Sequence, residues 1–359
     1  MTRRAMTFAI AGVLFLAMLI IATRLPVPYV VLVPGPVTDT LGKVPASDTT
    51  NGQPGGDVIA ISGAKVQPTT GHLYLTTVGI LPGSCSDSPT LWQTIKAWFK
   101  SSETVEPHEV QCPPGVSSAA VQQQGVREMS ESQVNAVYAA LTELGYRPTG
   151  EAVFVDSVSS DAPAASVIDV DDRIVSINGT PITKAQQVVD LVHEQPPGSK
   201  LSMVVKRDGR RQALDVPTMR GTDGKTQFGI SISERPTFNG INVSIGIDPD
   251  VIGGPSAGTA LALGIIDKLT PGGLTGGRTI AGTGTVDRTG KVGPIGGIQQ
   301  KIAAAVHAGA TVFFAPASEC ADAKAAAPSS LTLVSVRTLH GAVTALQAIK
   351  AGSTDFPHC

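Results

Sequence analysis

Two motifs constrain this chain more than any other feature. They are Gly253-Gly254-Pro255-Ser256-Ala257-Gly258 and Pro294-Ile295-Gly296-Gly297-Ile298-Gln299-Gln300-Lys301. The first puts a serine at a tight turn of small residues that opens a helix. The second puts a lysine in the first turn of another helix, and the glycine-rich run Ala281-Gly282-Thr283-Gly284-Thr285-Val286-Asp287 lies between them. A serine hydroxyl becomes a useful nucleophile only when a base takes its proton, and a neutral lysine amine is such a base. Free lysine, with a pKa of about 10.4, is almost wholly charged at neutral pH. Burial among apolar atoms disfavours that charge. Ile298, Ile302, Ala305 and Val306 fall at helical spacing, which predicts a core-facing stripe with Lys301 at its edge. The small neighbours Ala304, Ala305 and Ala308 let another element close over the amine. The serine motif predicts a helix from about Ser256 to Lys268 whose first free N–H groups, those of Ser256 and Ala257, serve an oxyanion.

On these residues the stretch from about 238 to 350 resembles the proteolytic domain of the Lon family. The resemblance implies Ser256 as nucleophile, Lys301 as general base and Thr283 as the threonine whose hydroxyl helps hold the dyad. No Walker A string is present, so the implied activity is that of an ATP-independent serine endopeptidase, with no cofactor and no metal. The chain departs from many Lon proteins in having Gly254 where they carry an acidic residue two positions before the nucleophile. Asp248 and Asp250 lie upstream without an assigned role. Two other readings use the same residues. A nucleophile elbow would need a later Asp and His, for which Asp322 and His340 stand in order. A non-catalytic scaffold of the cell envelope would keep the fold and not the chemistry.

Residues 146–220 resemble a PDZ domain of the bacterial protease-associated type. The run Ala152-Val153-Phe154-Val155 reads as a strand, Asn178-Gly179 as a turn between strands, and Ala185 to His193 as a helix. Asp171-Asp172 stands where a Gly-Asp pair is usual. PDZ domains take an extended peptide end onto a strand edge beside a helix. The expected peptide-binding residues are therefore Gly150, Ala152, Val153, Phe154 and Val155, with Tyr146 to Gly150 as the loop that cradles the terminus.

The N-terminus carries Arg3-Arg4 and then an uncharged run from Ala5 to Thr23, roughly 28 Å long as a helix. This predicts a retained single-pass anchor, with a cleaved signal peptide as the competing reading; as an anchor it places the N-terminus in the cytoplasm and the remainder outside. Four cysteines lie beyond that run: Cys85, Cys112, Cys320 and Cys359. In an oxidising compartment they suggest disulfides. Of the three possible connectivities, Cys85–Cys112 and Cys320–Cys359 is the expectation. A net charge of −2 offers no basic field, which excludes nucleic acid as a partner.

The whole chain resembles the membrane-anchored, PDZ-containing Lon-like proteases of bacteria. The expected fold is α+β and multidomain: an N-terminal transmembrane helix (1–25), a β-rich membrane-proximal region with a helical insert (26–145), the PDZ-like domain (146–220) and a Lon-type α+β proteolytic domain (238–352). Within the insert, Leu91, Ile95, Trp98 and Phe99 predict an amphipathic helix packed onto the core. Expected partners are flexible or unfolded protein substrates, peptide termini at the PDZ-like domain, the lipid bilayer through the first helix, and further copies of the chain in a homo-oligomer.

Overall fold

The computed structural model describes residues 3–49, 53–83, 85–159, 161–207, 209–221 and 223–359; the side chains of 3–5 and 7–9 lie outside the described residues. A six-stranded mixed sheet organises the unit that carries Ser256 and Lys301. Its order is Thr332–Val336, Val312–Pro316, Thr279–Gly282, His72–Leu81, Tyr29–Asp39, Thr104–Pro107. The first four strands run parallel and the last two pair antiparallel. Half of the sheet therefore comes from chain that precedes the PDZ module. The regions 26–145 and 238–352, read separately in the sequence, share one sheet and one core. Thr279–Gly282 is central, buried on both edges by Val312–Pro316 and His72–Leu81. Without the N-terminal strands one of its edges would be left unpaired.

Alternation along the strands gives the sheet two faces. Leu73, Leu75, Ile280 and Phe314 face one core, shared with the helix Gly258–Leu269, the last helix Leu339–Lys350 and the long helix Ser118–Glu143. Ala281, Phe313 and Ala315 face the other, with Ile298, Ile302 and Ala305 of the helix Ile298–His307 and Ala323 of Cys320–Ala326. Local chemistry starts several of these helices. Ser117 accepts from Ala120 N–H, and Thr338 accepts from Gly341 N–H. Both expected disulfides are formed, Cys85–Cys112 and Cys320–Cys359.

Two expectations are corrected here. Among the described residues no helix is long and apolar enough to cross a membrane, so the expected transmembrane anchor is not part of this fold. The first helix is Arg3–Arg24. The orientation argument rested on Arg3 and Arg4, whose side chains are not described. The second correction concerns the helix Leu91–Trp98, which does not bury its aromatic face. Trp98 is 66% and Phe99 86% exposed, while the small Thr94 and Ala97 pack inward.

The PDZ module is a separate sheet in the order Ile230–Thr237, Gly150–Val158, Arg173–Ile177, Lys200–Arg207, Arg210–Pro217, with the helix Ala185–His193 against it. It has its own core around Val153, Val155, Ile174, Ile177, Val188 and Met203. Asn178 and Gly179 both have positive φ, as a tight type I′ hairpin turn requires.

Candidate active site

Ser256 and Lys301 belong to helices on opposite faces of the mixed sheet, and they meet beyond the end of the central strand Thr279–Gly282. Ser256 lies in a 3₁₀ turn, Pro255–Ala257, that runs into Gly258–Leu269. Ser256 and Ala257 thus sit at a helix N-terminus, where the first N–H groups lack intrahelical acceptors. Gly254 precedes this turn with φ 89° and ψ 162°, a region that only glycine occupies without strain. Its backbone accounts for the absence of an acidic side chain there.

Lys301 lies one turn into Ile298–His307, which starts from the left-handed Gly297. A Cβ at Gly297 would come within 2.5 Å of Val78, so glycine lets this turn press onto the sheet. The lysine is 3% exposed. Its Nζ donates to Ser256 Oγ at 2.7 Å and to Thr283 Oγ1 at 3.2 Å. Thr283 is fully buried; its hydroxyl donates to the Ser256 carbonyl at 3.3 Å and its N–H to Phe314 O. Burial lowers the Lys301 pKa from 10.5 to about 7, and the Glu319 carboxylate pulls weakly the other way. The arrangement presents a hydroxyl beside an amine that is half neutral near pH 7.

Several supporting residues left no signal in the sequence. Gly125 O accepts from Gly254 N–H at 2.9 Å, and Ser132 Oγ donates to Pro255 O at 3.0 Å. Both come from the long helix, more than a hundred residues upstream of Ser256. Glu319 Oε1 accepts from Ile295 N–H at 3.4 Å beside the lysine motif. Other named residues stay apart from the serine. Asp248 Oδ1 caps its own loop at Asp250 N–H. His340, required by the nucleophile-elbow reading, is held 2.7 Å from Glu143 Oε1.

The expected peptide edge of the PDZ module is corrected. Gly150–Val158 is an interior strand. It pairs with Ile230–Thr237 along its length, and Val153 and Phe154 pair with Arg173–Ile177 on the other side. Val153, Phe154 and Val155 therefore have no free edge, and Ala152 is taken up by pairing with Arg235. The edge strand beside Ala185–His193 is Ile230–Thr237, where Glu234 Oε1 accepts from Ala185 N–H at 3.0 Å. It follows Phe228-Gly229, with Gly229 at φ 76°. The sequence order concealed this, because the edge strand comes last in the module.

Comparison with known proteins finds two domain families along the chain. Residues 127–218 match the family model of the PDZ domain, and residues 234–346 that of the Lon protease (S16) C-terminal proteolytic domain. The chain is 39% identical over 67 residues to the serine endoprotease DegS of Escherichia coli (strain K12), covering 18% of this chain and 19% of that protein. It is 29% identical over 138 residues to the magnetosome formation protease MamE of Magnetospirillum gryphiswaldense, covering 35% and 17%. It is 33% identical over 106 residues to a probable periplasmic serine endoprotease DegP-like of Pseudomonas putida, covering 24% and 22%. The chain thus spans about a fifth of the length of these curated relatives. Among solved structures, the PDZ domain of an SdrC-like protein from Listeria monocytogenes is 26% identical, covering 24% of this chain and 92% of that one at a TM-score of 0.23.

Proposed function

We propose that this chain, which carries a PDZ domain followed by a Lon protease (S16) C-terminal proteolytic domain, is a serine endopeptidase worked by a Ser256–Lys301 dyad. The observation that carries the reading is the 2.7 Å contact between the Lys301 amine and the Ser256 hydroxyl, made by an amine whose burial brings its pKa to about 7. Neutral Lys301 takes the Ser256 proton as Oγ attacks the scissile carbonyl. The oxyanion that forms faces the N–H groups of Ser256 and Ala257 at the helix N-terminus. Lys301 then returns the proton to the leaving amine, and water resolves the acyl-enzyme by the same route. Thr283 holds the amine through the step and fixes the serine backbone with the same hydroxyl.

No nucleotide drives the reaction, so substrates must arrive extended: disordered tails, damaged proteins or peptides. The PDZ edge Ile230–Thr237 receives peptide ends by strand addition. Two disulfides favour an oxidising compartment, and a homo-oligomer would shelter the site.

The test is hydrolysis of an unfolded protein by the full chain without ATP, run beside Ser256→Ala and Lys301→Ala. Removal of either member should cost several orders of magnitude in turnover while the fold is kept. Wild-type turnover by Ser256→Ala would falsify the mechanism. Absence of cleavage by a folded wild type would favour the scaffold reading.

A further inference from the structure

A cleft of about 790 Å³ separates the PDZ sheet from the catalytic unit, and the proteolytic chemistry makes no use of it. Its floor is the outer face of the PDZ sheet, with Phe154, Asp156, Arg173, Lys206 and Arg235. Their strand neighbours Val153, Val155, Ile174 and Val205 point into the PDZ core. One wall is the long helix Ser118–Glu143 and the other is the strand Asn242–Ile245.

Two features of this cleft are unbalanced. The strand Asn242–Ile245 pairs with Ile59–Ser62 along one edge only, and no strand covers its second edge among the described residues. Gly246 N–H continues the existing pairing to Val58 O. Because backbone groups alternate along a strand, those of Val243 and Ile245 turn the other way, toward the cleft. Second, Arg173 and Lys206 are register partners on adjacent strands, and like charges set opposite each other repel. Among the described residues neither has an anionic partner, and Arg173 Nε is buried without an acceptor. The nearby carboxylates serve another cation: Asp156 and Asp171 each lie 2.5 Å from Arg235. A buried donor left unmet is costly, and an arriving carboxylate would meet it.

We propose that this cleft binds an extended polypeptide segment bearing an acidic side chain. The segment adds as a strand to Asn242–Ile245, and its carboxylate lies between Arg173 and Lys206. Chain termini are captured by nests of backbone N–H groups. The donors here are side chains on a sheet face, which suits a Glu or Asp within the segment. Such binding goes beyond the proteolytic reading, since it needs neither Ser256 nor Lys301.

The experiment uses the full chain as Ser256→Ala and a fluorescein-labelled extended peptide of about ten residues, blocked at both ends, with one central Glu. Anisotropy is read at low salt beside two companions: a peptide with Gln for Glu, and the Gln peptide with a free C-terminus. The Glu peptide should bind roughly tenfold more tightly than either companion. The variant Arg173→Gln/Lys206→Gln should lose that preference and hold the Gln peptide as before. Arg173→Glu/Lys206→Glu should transfer the preference to a Lys peptide, which a misfolded protein could not do. Equal binding of the Glu and Gln peptides would overturn the proposal. So would tighter binding of the free terminus, or a Glu preference that survives in Arg173→Gln/Lys206→Gln, which would place it at the PDZ edge strand.

Discussion

Under the proposed mechanism, the state of Lys301 sets how hydrolysis responds to pH. The proposed base is the neutral amine, and burial brings its pKa from 10.5 to about 7. At pH 7 about half of the molecules carry it neutral, whereas an amine left at its ordinary value would be neutral in roughly 0.03% of them. Burial therefore enlarges the reactive population on the order of a thousandfold. Raising the pH removes the inhibiting proton, so kcat/KM should climb about tenfold per unit below pH 6, bend near 7 and level by pH 8 to 9. At pH 5 it should stand near 1% of the plateau, by the same one-proton arithmetic. Glu319 supplies the perturbation. Its charge favours the ammonium, so Glu319→Gln should move the bend to lower pH while its amide oxygen still accepts from Ile295 N–H. The assay is initial-rate hydrolysis of a fluorogenic peptide from pH 5 to 10 at constant ionic strength. A log-linear rise with no bend up to pH 10 would mean an ordinary solvated lysine. A bend that stays in place in Glu319→Gln would refute the electrostatic link.

Three further outcomes follow from the same geometry. Thr283→Val, which keeps the volume and removes the hydroxyl bound to Lys301 Nζ and Ser256 O, should lower kcat by roughly tenfold or more with KM little changed; steady-state kinetics beside a melting curve separates this from unfolding. Gly254→Ala places a Cβ at φ 89° and should cost roughly 1–3 kcal/mol, read as a lower urea midpoint, with kcat falling because Ser256 sits two residues on. Cys320→Ser/Cys359→Ser opens a loop with a sequence separation of 39, which in the chain-entropy account is worth about 4 kcal/mol; an unchanged melting temperature would show that this staple contributes nothing.

Some of this molecule was legible one residue at a time. Helix caps, tight turns and the small residues around Ser256 and Lys301 are local, because each depends on backbone preferences and neighbours within a turn. The Asn178-Gly179 turn was readable for that reason, and so was the apolar stripe that buries Lys301. Val306, at the end of that stripe, is 37% exposed, since periodicity indicates a face and not where the neighbouring element stops.

What the sequence determined alone is the set of candidate residues, Ser256, Thr283 and Lys301, and the helices that carry Ser256 and Lys301. Tertiary structure decided how they meet. The Ser256 and Lys301 helices lie on opposite faces of one sheet, and only the end of Thr279–Gly282 brings Lys301 Nζ within 2.7 Å of Ser256 Oγ. Three of the six strands come from before the PDZ module, a pairing that no local pattern encodes, because strand partners are chosen by edges left open elsewhere in the chain. For the same reason the PDZ edge fell to Ile230–Thr237 and enclosed the more apolar Ala152–Val155. An edge is a property of the assembled sheet, and composition along a strand says only that it will pair.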